Sequence, residues 1–149
     1  AVDWDTYTSS FGRYRFTDKE LVTGTIYYYK IRAVCVYQDD FKYSQFCPVI
    51  SAKCTLDAPT GLTLTPTAGK MKASWAKVNG AEGYQVWRAD TKDGTYKRIH
   101  TLTSGATVSY EDTTVTAGKT YYYKVRAYRK PNGTAVFSGY SAIVGKKAK

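Results

Sequence analysis

The sequence predicts an all-β protein, an antiparallel β-sandwich, and three observations carry the prediction. Tyrosine occurs 15 times in 149 residues, against one Met and one His, and Tyr, Val and Thr suit a pleated, half-buried surface. Apolar and polar residues alternate with period two over short runs bounded by turn residues, and no stretch shows helical periodicity. The chain also repeats itself. Gly24-Thr25-Ile26-Tyr27-Tyr28-Tyr29-Lys30-Ile31-Arg32-Ala33 returns as Gly118-Lys119-Thr120-Tyr121-Tyr122-Tyr123-Lys124-Val125-Arg126-Ala127, an offset of 118 − 24 = 94. The correspondence runs without a gap from Phe16/Tyr110 through Asp18/Asp112 and Ser44/Ser138 to Lys53/Lys147. A period of this length is a whole domain, not a solenoid repeat. Ala1 aligns with Thr95, so the first repeat is expected to hold only its back half. The expected organisation is a tandem with an incomplete first member: residues 1–55 as the C-terminal half of one domain, 56–59 as linker and 60–149 as a complete domain.

The complete repeat reads as seven short strands. Leu62 and Leu64 alternate after Pro59, and Thr65-Pro66 is expected to end that run. Met71, Ala73 and Trp75 alternate with Lys72 and Ser74, and Asn79-Gly80 marks a turn. Tyr84, Val86 and Arg88 alternate with Gln85 and Trp87 before the turn at Lys92-Asp93-Gly94. Residues 96–102 and 107–110 are extended. Tyr121, Tyr123, Val125 and Ala127 alternate with Tyr122, Lys124, Arg126 and Tyr128. Pro131-Asn132-Gly133 is a hairpin turn, and 137–144 is the last strand. The expected core is Leu62, Leu64, Trp75, Tyr84, Val86, Tyr121, Tyr123 and Val125. The half repeat supplies strands at 14–16, 27–34 and 43–50, without counterparts of Leu62, Leu64, Trp75, Tyr84 and Val86.

The net charge of +10 is unevenly spread. Residues 1–57 carry seven basic and seven acidic groups, whereas 58–149 carry 15 basic and five acidic. Such a field serves solubility and also favours polyanions, among them an anionic cell-wall polymer. All three cysteines, Cys35, Cys47 and Cys54, lie in the first part. Their spacing is not that of a zinc site, and no cofactor is expected. Cys35 and Cys47 fall on adjacent antiparallel strands joined by a hairpin around 38–41. A bridge between them needs a register that pairs residues summing to about 82; otherwise the thiols stay reduced. The longest apolar run is a few residues, which excludes a transmembrane helix.

Several motifs in order and spacing carry a family resemblance. Pro59-x-x-Leu62, Trp75 in the second strand, Gly83-Tyr84-x-Val86 in the third and Gly118-x-x-Tyr121-x-Tyr123-x-Val125-x-Ala127 in the sixth resemble a fibronectin type III domain, an immunoglobulin-like sandwich. The wording of Ser74-Trp75-Ala76-Lys77 and Gly83-Tyr84-Gln85-Val86-Trp87-Arg88 is most similar to modules appended to exported proteins of Gram-positive bacteria. The resemblance covers 58–147 fully and 16–53 as a back half. It implies that Trp75 is the core tryptophan and that the Tyr121 hydroxyl ties down the connection before its strand. The integrin tripeptide Arg-Gly-Asp is absent from the corresponding loop, Arg129-Lys130-Pro131-Asn132-Gly133-Thr134.

Catalytic chemistry finds little support. His100, the one imidazole, lies in an extended segment with no Ser-Asp pattern nearby. Asp90, Asp93, Glu111 and Asp112 fall in turns and strand ends. Asp3 and Asp5 flank Trp4, and two acids alone do not make a metal site. Gly80-Ala81-Glu82-Gly83 lacks the lysine of a phosphate loop, and Asn132-Gly133-Thr134 reads as a turn before it reads as a glycosylation sequon. One surface is distinctive. If Tyr121, Tyr123, Val125 and Ala127 point inward, then Tyr122, Lys124, Arg126 and Tyr128 point outward, and Trp87 and Gln85 join them on the neighbouring strand. This aromatic and cationic strip is a candidate glycan- or polyanion-binding face; rows of exposed Tyr also stabilise sheets by cross-strand packing.

The sequence is therefore expected to be a non-catalytic module pair from an exported bacterial protein, at the cell surface or outside the cell, acting as spacer, adhesion or binding unit. Two alternatives stand beside it: the accessory C-terminal region of an enzyme acting on polysaccharide or cell wall, and a structural subunit of a surface assembly completed by another chain. The upstream part of the same protein, or another polypeptide, is expected to complete residues 1–55. Neither nucleic acid nor membrane insertion is expected.

Overall fold

A computed structural model describes residues 7–8, 14–19 and 21–149. Every regular element among them is a β-strand, apart from one 3-10 turn. Strands β1 (Tyr7–Thr8), β2 (Tyr14–Arg15), β3 (Ile26–Tyr29), β4 (Val34–Tyr37), β5 (Asp40–Tyr43) and β6 (Ile50–Lys53) occupy the first part. Strands β7 (Thr63–Thr67), β8 (Lys70–Ser74), β9 (Gly83–Ala89), β10 (Lys97–Leu102), β11 (Ser109–Asp112), β12 (Thr120–Arg129), β13 (Val136–Tyr140) and β14 (Val144–Lys147) occupy the second. All pairings are antiparallel. Among the described residues, no helix is long and apolar enough to cross a membrane.

In the second part a three-stranded sheet, β11-β8-β7, faces a five-stranded one, β10-β9-β12 with β13 and β14 both on the far side of β12. Period-two alternation sends Met71, Ala73 and Trp75 from one sheet against Tyr84, Val86, Tyr121, Tyr123, Val125 and Ala127 from the other. All eight expected core residues are buried. Leu56, placed in the linker by the sequence, is buried in the same core beside Val78, so the packing of the second part reaches into that connection. Met71 and Val115 complete the interior.

Two sequence expectations are corrected by the ladder. Pro66 does not end the first strand; it pairs with Met71 inside β7. It is tolerated because β7 is an edge strand, where a missing N–H costs no inner ladder bond. The last strand is not continuous over 137–144 but divides into β13 and β14, with a register slip inside the β12–β13 pairing. Serine side chains take over the ladder where it fails. Ala127 N–H donates to Ser138 Oγ (2.9 Å) and Val125 N–H donates to Ser141 Oγ (3.0 Å).

The first part repeats the pairings of β12 with β14 and β13 in its β3–β6 and β4–β5 ladders, but the expected strands 27–34 and 43–50 are each split in two, and β1 pairs with β2 where the counterparts Thr101 and Ser109 lie in different sheets. The β3–β6 register, Tyr29 with Ile50 and Ile26 with Lys53, is the β12–β14 register, Tyr123 with Val144 and Thr120 with Lys147, displaced by 94. Val22 N–H donates to Tyr27 Oη (2.9 Å) as Thr116 N–H does to Tyr121 Oη (3.0 Å). Gly24 and Gly118 both adopt positive φ, 92° and 83°, and their N–H groups close onto the carbonyls of Cys54 and Ala148. Only glycine takes that backbone turn without strain. The difference lies in what covers the inner row. Val125 is 0% exposed, whereas its counterpart Ile31 is 64% exposed.

Candidate functional site

Strands β9 and β12 run side by side, with Trp87 opposite Lys124 and Gln85 opposite Arg126. Because alternate residues of β12 enter the core, Tyr122, Lys124 and Arg126 stand on the outer face with Trp87. These side chains are not free. Lys124 Nζ lies 4.3 Å from the Tyr96 ring centre and 4.1 Å from that of Tyr140. The Arg126 guanidinium lies 3.9 Å from the Phe137 ring centre and 5.3 Å from Trp87, and its Nε donates to Gln85 Oε1 (2.9 Å). Trp87 meets Tyr140 edge to face at 5.9 Å. Its indole N–H is shielded and finds no acceptor among the described residues. Each cation thus sits against aromatic rings, an arrangement worth about 0.5–1 kcal/mol per contact at exposed sites.

Tyr128 departs from expectation. It is 5% exposed, and its hydroxyl donates to the Leu102 carbonyl (3.2 Å). The ring lies across Gly83, its partner in the ladder, where a Cβ would collide with it. Tyr122 covers Gly145 in the same way. Both tyrosines fill gaps left by glycines of the neighbouring strands, and Tyr128 offers no ring face to a ligand. The alternation reading missed Phe137 and Tyr140. Three positions apart, they should face opposite sides of a regular strand; the slip in register brings both against Arg126. The first part carries the same device, with Lys30 4.2 Å from the Phe46 ring centre and Arg32 3.8 Å from that of Tyr43.

A second polar cluster lies at the end of the core. Asp112 is 1% exposed. It accepts from Arg88 Nη1 (2.6 Å), Tyr123 Oη (2.8 Å), Thr114 Oγ1 (2.7 Å) and Thr114 N–H (2.9 Å). Burial opposes its charge, yet the bonds from Thr114, Tyr123 and Arg88 outweigh burial and hold the carboxyl below the usual carboxylate range. Burial, then the bond to Asp112, pushes the Tyr123 phenol far up. Every oxygen of Asp112 is thus engaged in structural bonds, which suits a clamp and not a proton carrier. A shallow depression of about 500 Å³ beside it is lined by Arg88, Asp90, Lys119, Thr120 and Tyr121, without a nucleophile next to a base.

The other candidates are dispersed. His100 stacks on Tyr110 (4.5 Å between ring centres), and Glu111 reaches Lys70 at 3.7 Å on the surface. Asp3, Trp4 and Asp5 lie outside the described residues. Among those described, no group of His, Cys, Asp or Glu is arranged to hold a metal ion. The Cys35–Cys47 bridge is not formed, and all three thiols are free. The two-residue turn Gln38-Asp39, both at positive φ, sets the β4–β5 register, so Cys35 faces Lys42, five positions short of Cys47. Cys47 instead accepts the Ile31 N–H on Sγ (3.1 Å), where Ser141 accepts that of Val125.

No family-level sequence profile matches the chain. A solved Fn3-like protein from Clostridium thermocellum is 33% identical, with a TM-score of 0.51 over 61% of this chain and 91% of that one. An amylopullulanase of Thermoanaerobacterium saccharolyticum is 36% identical over 69 residues, 46% of this chain. A poly(3-hydroxybutyrate) depolymerase of Delftia acidovorans is 41% identical over 73 residues, 48% of this chain. The matched segments span 5% and 13% of those two proteins.

Proposed function

Because the chain belongs to the fibronectin type III family, we propose that it is a non-catalytic accessory module of an exported, polymer-degrading bacterial enzyme, working outside the cell to space the catalytic part from its surroundings. One observation carries the reading. Related segments occur in an amylopullulanase and in a poly(3-hydroxybutyrate) depolymerase, whose names denote different substrates. Likeness to small parts of two enzymes with such different names supports a role outside either reaction.

On this reading the outer strip is first a stiffener. Trp87, Lys124 and Arg126 tie β9, β12 and β13 together while Tyr122 covers β14, and a weak hold on an anionic polymer is the secondary role that their cations support. The purified chain should release no soluble product from starch, pullulan or poly(3-hydroxybutyrate); turnover of any of them overturns the accessory assignment. Co-sedimentation with an anionic cell-wall polymer at low salt tests the strip. A Trp87→Ala/Tyr122→Ala double variant should bind less than the parent, and equal binding would leave the strip structural only.

A further inference from the structure

The first part presents an inner sheet face whose chemistry can be read from its counterpart. In the second part the row Tyr121, Tyr123, Val125 and Ala127 is covered by Met71, Ala73 and Trp75 and flanked by Tyr84 and Val86. Arg88 of β9 then closes onto Asp112. In the first part the row Tyr27, Tyr29, Ile31 and Ala33 has the same ladder, the same tyrosine tether and the same carboxylate, since Tyr29 Oη donates to Asp18 Oδ2 at 2.9 Å. Three things differ. Ile31 and Ala33 are exposed. No cation pairs with Asp18 among the described residues. The counterparts of β7, β8 and β9 fall at numbers below one when displaced by 94.

We propose that this open face seats a three-stranded segment lying N-terminal to residue 1 in the intact polypeptide, apolar toward Tyr27, Tyr29, Ile31 and Ala33 and carrying an arginine to Asp18. The sequence order of the complete repeat, in which β7, β8 and β9 precede β12, puts that segment ahead of the chain and not after it. Charge agrees: a carboxylate bonded by a tyrosine at the end of an apolar row is the half of the Arg88–Asp112 pair that an incoming guanidinium completes. The inference rests on the repeat geometry and stands whether or not the module belongs to a polymer-degrading enzyme. An uncovered apolar row with unpaired strand edges is otherwise a template for unwanted association.

The repeat supplies its own probe. Thr95 aligns with Ala1, so residues 58–94 placed ahead of Ala1 restore the order of a complete repeat without a gap. Amide hydrogen exchange is read on residues 27–33, with 121–127 as the internal standard. In the 149-residue chain, dilute and monomeric by sedimentation, residues 27–33 should exchange about a thousandfold faster than 121–127; in the extended chain the gap should close to about tenfold. Ile31→Asp in the extended chain should reopen it, while Tyr28→Asp on the opposite face should not. Changing the added arginine to methionine should reopen it in part. Three results overturn the proposal: strong protection of 27–33 in the monomeric unextended chain, protection there that appears only with concentration and dimer formation, or an extended chain in which 121–127 stay protected and 27–33 do not.

Discussion

Asp112 is a residue whose loss the structure makes expensive in the second part. Asp112→Ala removes four hydrogen bonds at once and leaves Tyr123 Oη, on a residue 0% exposed, with no acceptor. Breaking a buried ion pair by deleting one partner costs about 3–5 kcal/mol. The Arg88 side chain keeps 20% of its surface in water and can rehydrate, which places the pair near the lower end. The orphaned phenol adds about 1–3 kcal/mol, so a total of about 4 kcal/mol is expected. For a unit of this size that lowers Tm by about 15–25 °C, read from near-UV circular dichroism. Asp112→Ala combined with Tyr123→Phe should cost less than the sum of the two, because no buried hydroxyl is then left unsatisfied. The acid limb follows from the depressed carboxyl. Its folded value lies below its unfolded one, so its contribution is fully present above about pH 4 and is lost as pH falls through the folded value. Asp112→Ala should lack that component. A cost below about 1 kcal/mol, an additive cycle, or an acid limb unchanged in the variant would refute the clamp.

Three further outcomes are expected. Trp75→Ala should destabilise the second part by about 3–5 kcal/mol, because the ring is buried between the sheets against Tyr84; calorimetry that finds an unchanged transition contradicts the core. Tyr121→Phe leaves the Thr116 N–H without its partner and should cost about 0.5–1.5 kcal/mol in chemical denaturation. Cys47→Ser should be neutral within about 0.5 kcal/mol, since a serine oxygen already accepts the same backbone N–H at position 141. A larger loss would mean that the thiol does more than accept the Ile31 N–H.

The sandwich was legible because its signals are local and redundant. Alternation at 71–75, 84–88 and 121–127 marks which side chains enter the core, and the 94-residue offset ties the two parts together. The candidate strip was legible only in part. Trp87, Lys124 and Arg126 follow from period two, but the fate of Tyr128 depends on Gly83 lying opposite it, a fact of register and not of its own strand. Phe137 and Tyr140 were hidden by a slip that no alternation rule marks, though Ser138 and Ser141, which replace the lost ladder bonds, are its trace in the sequence. The cysteine pairing failed for a related reason: the tight Gln38-Asp39 turn, not strand adjacency, sets which residue Cys35 meets.

The division of the last strand bears on how such modules live next to one another. Sequential repeats hold like edges at high local concentration, where a long straight edge would invite strand exchange between neighbours. Here the outer margin of the larger sheet is two short pieces, β13 and β14, set out of step along β12 and interrupted where serines reach inward. The corresponding margin of the first part, β5 and β6, is broken at the same place. A second copy approaching this margin finds only four or five residues in register before the pattern lapses, too few to zip. The interruption that obscured the strand in the sequence thus leaves this margin without a long straight edge for another strand to extend.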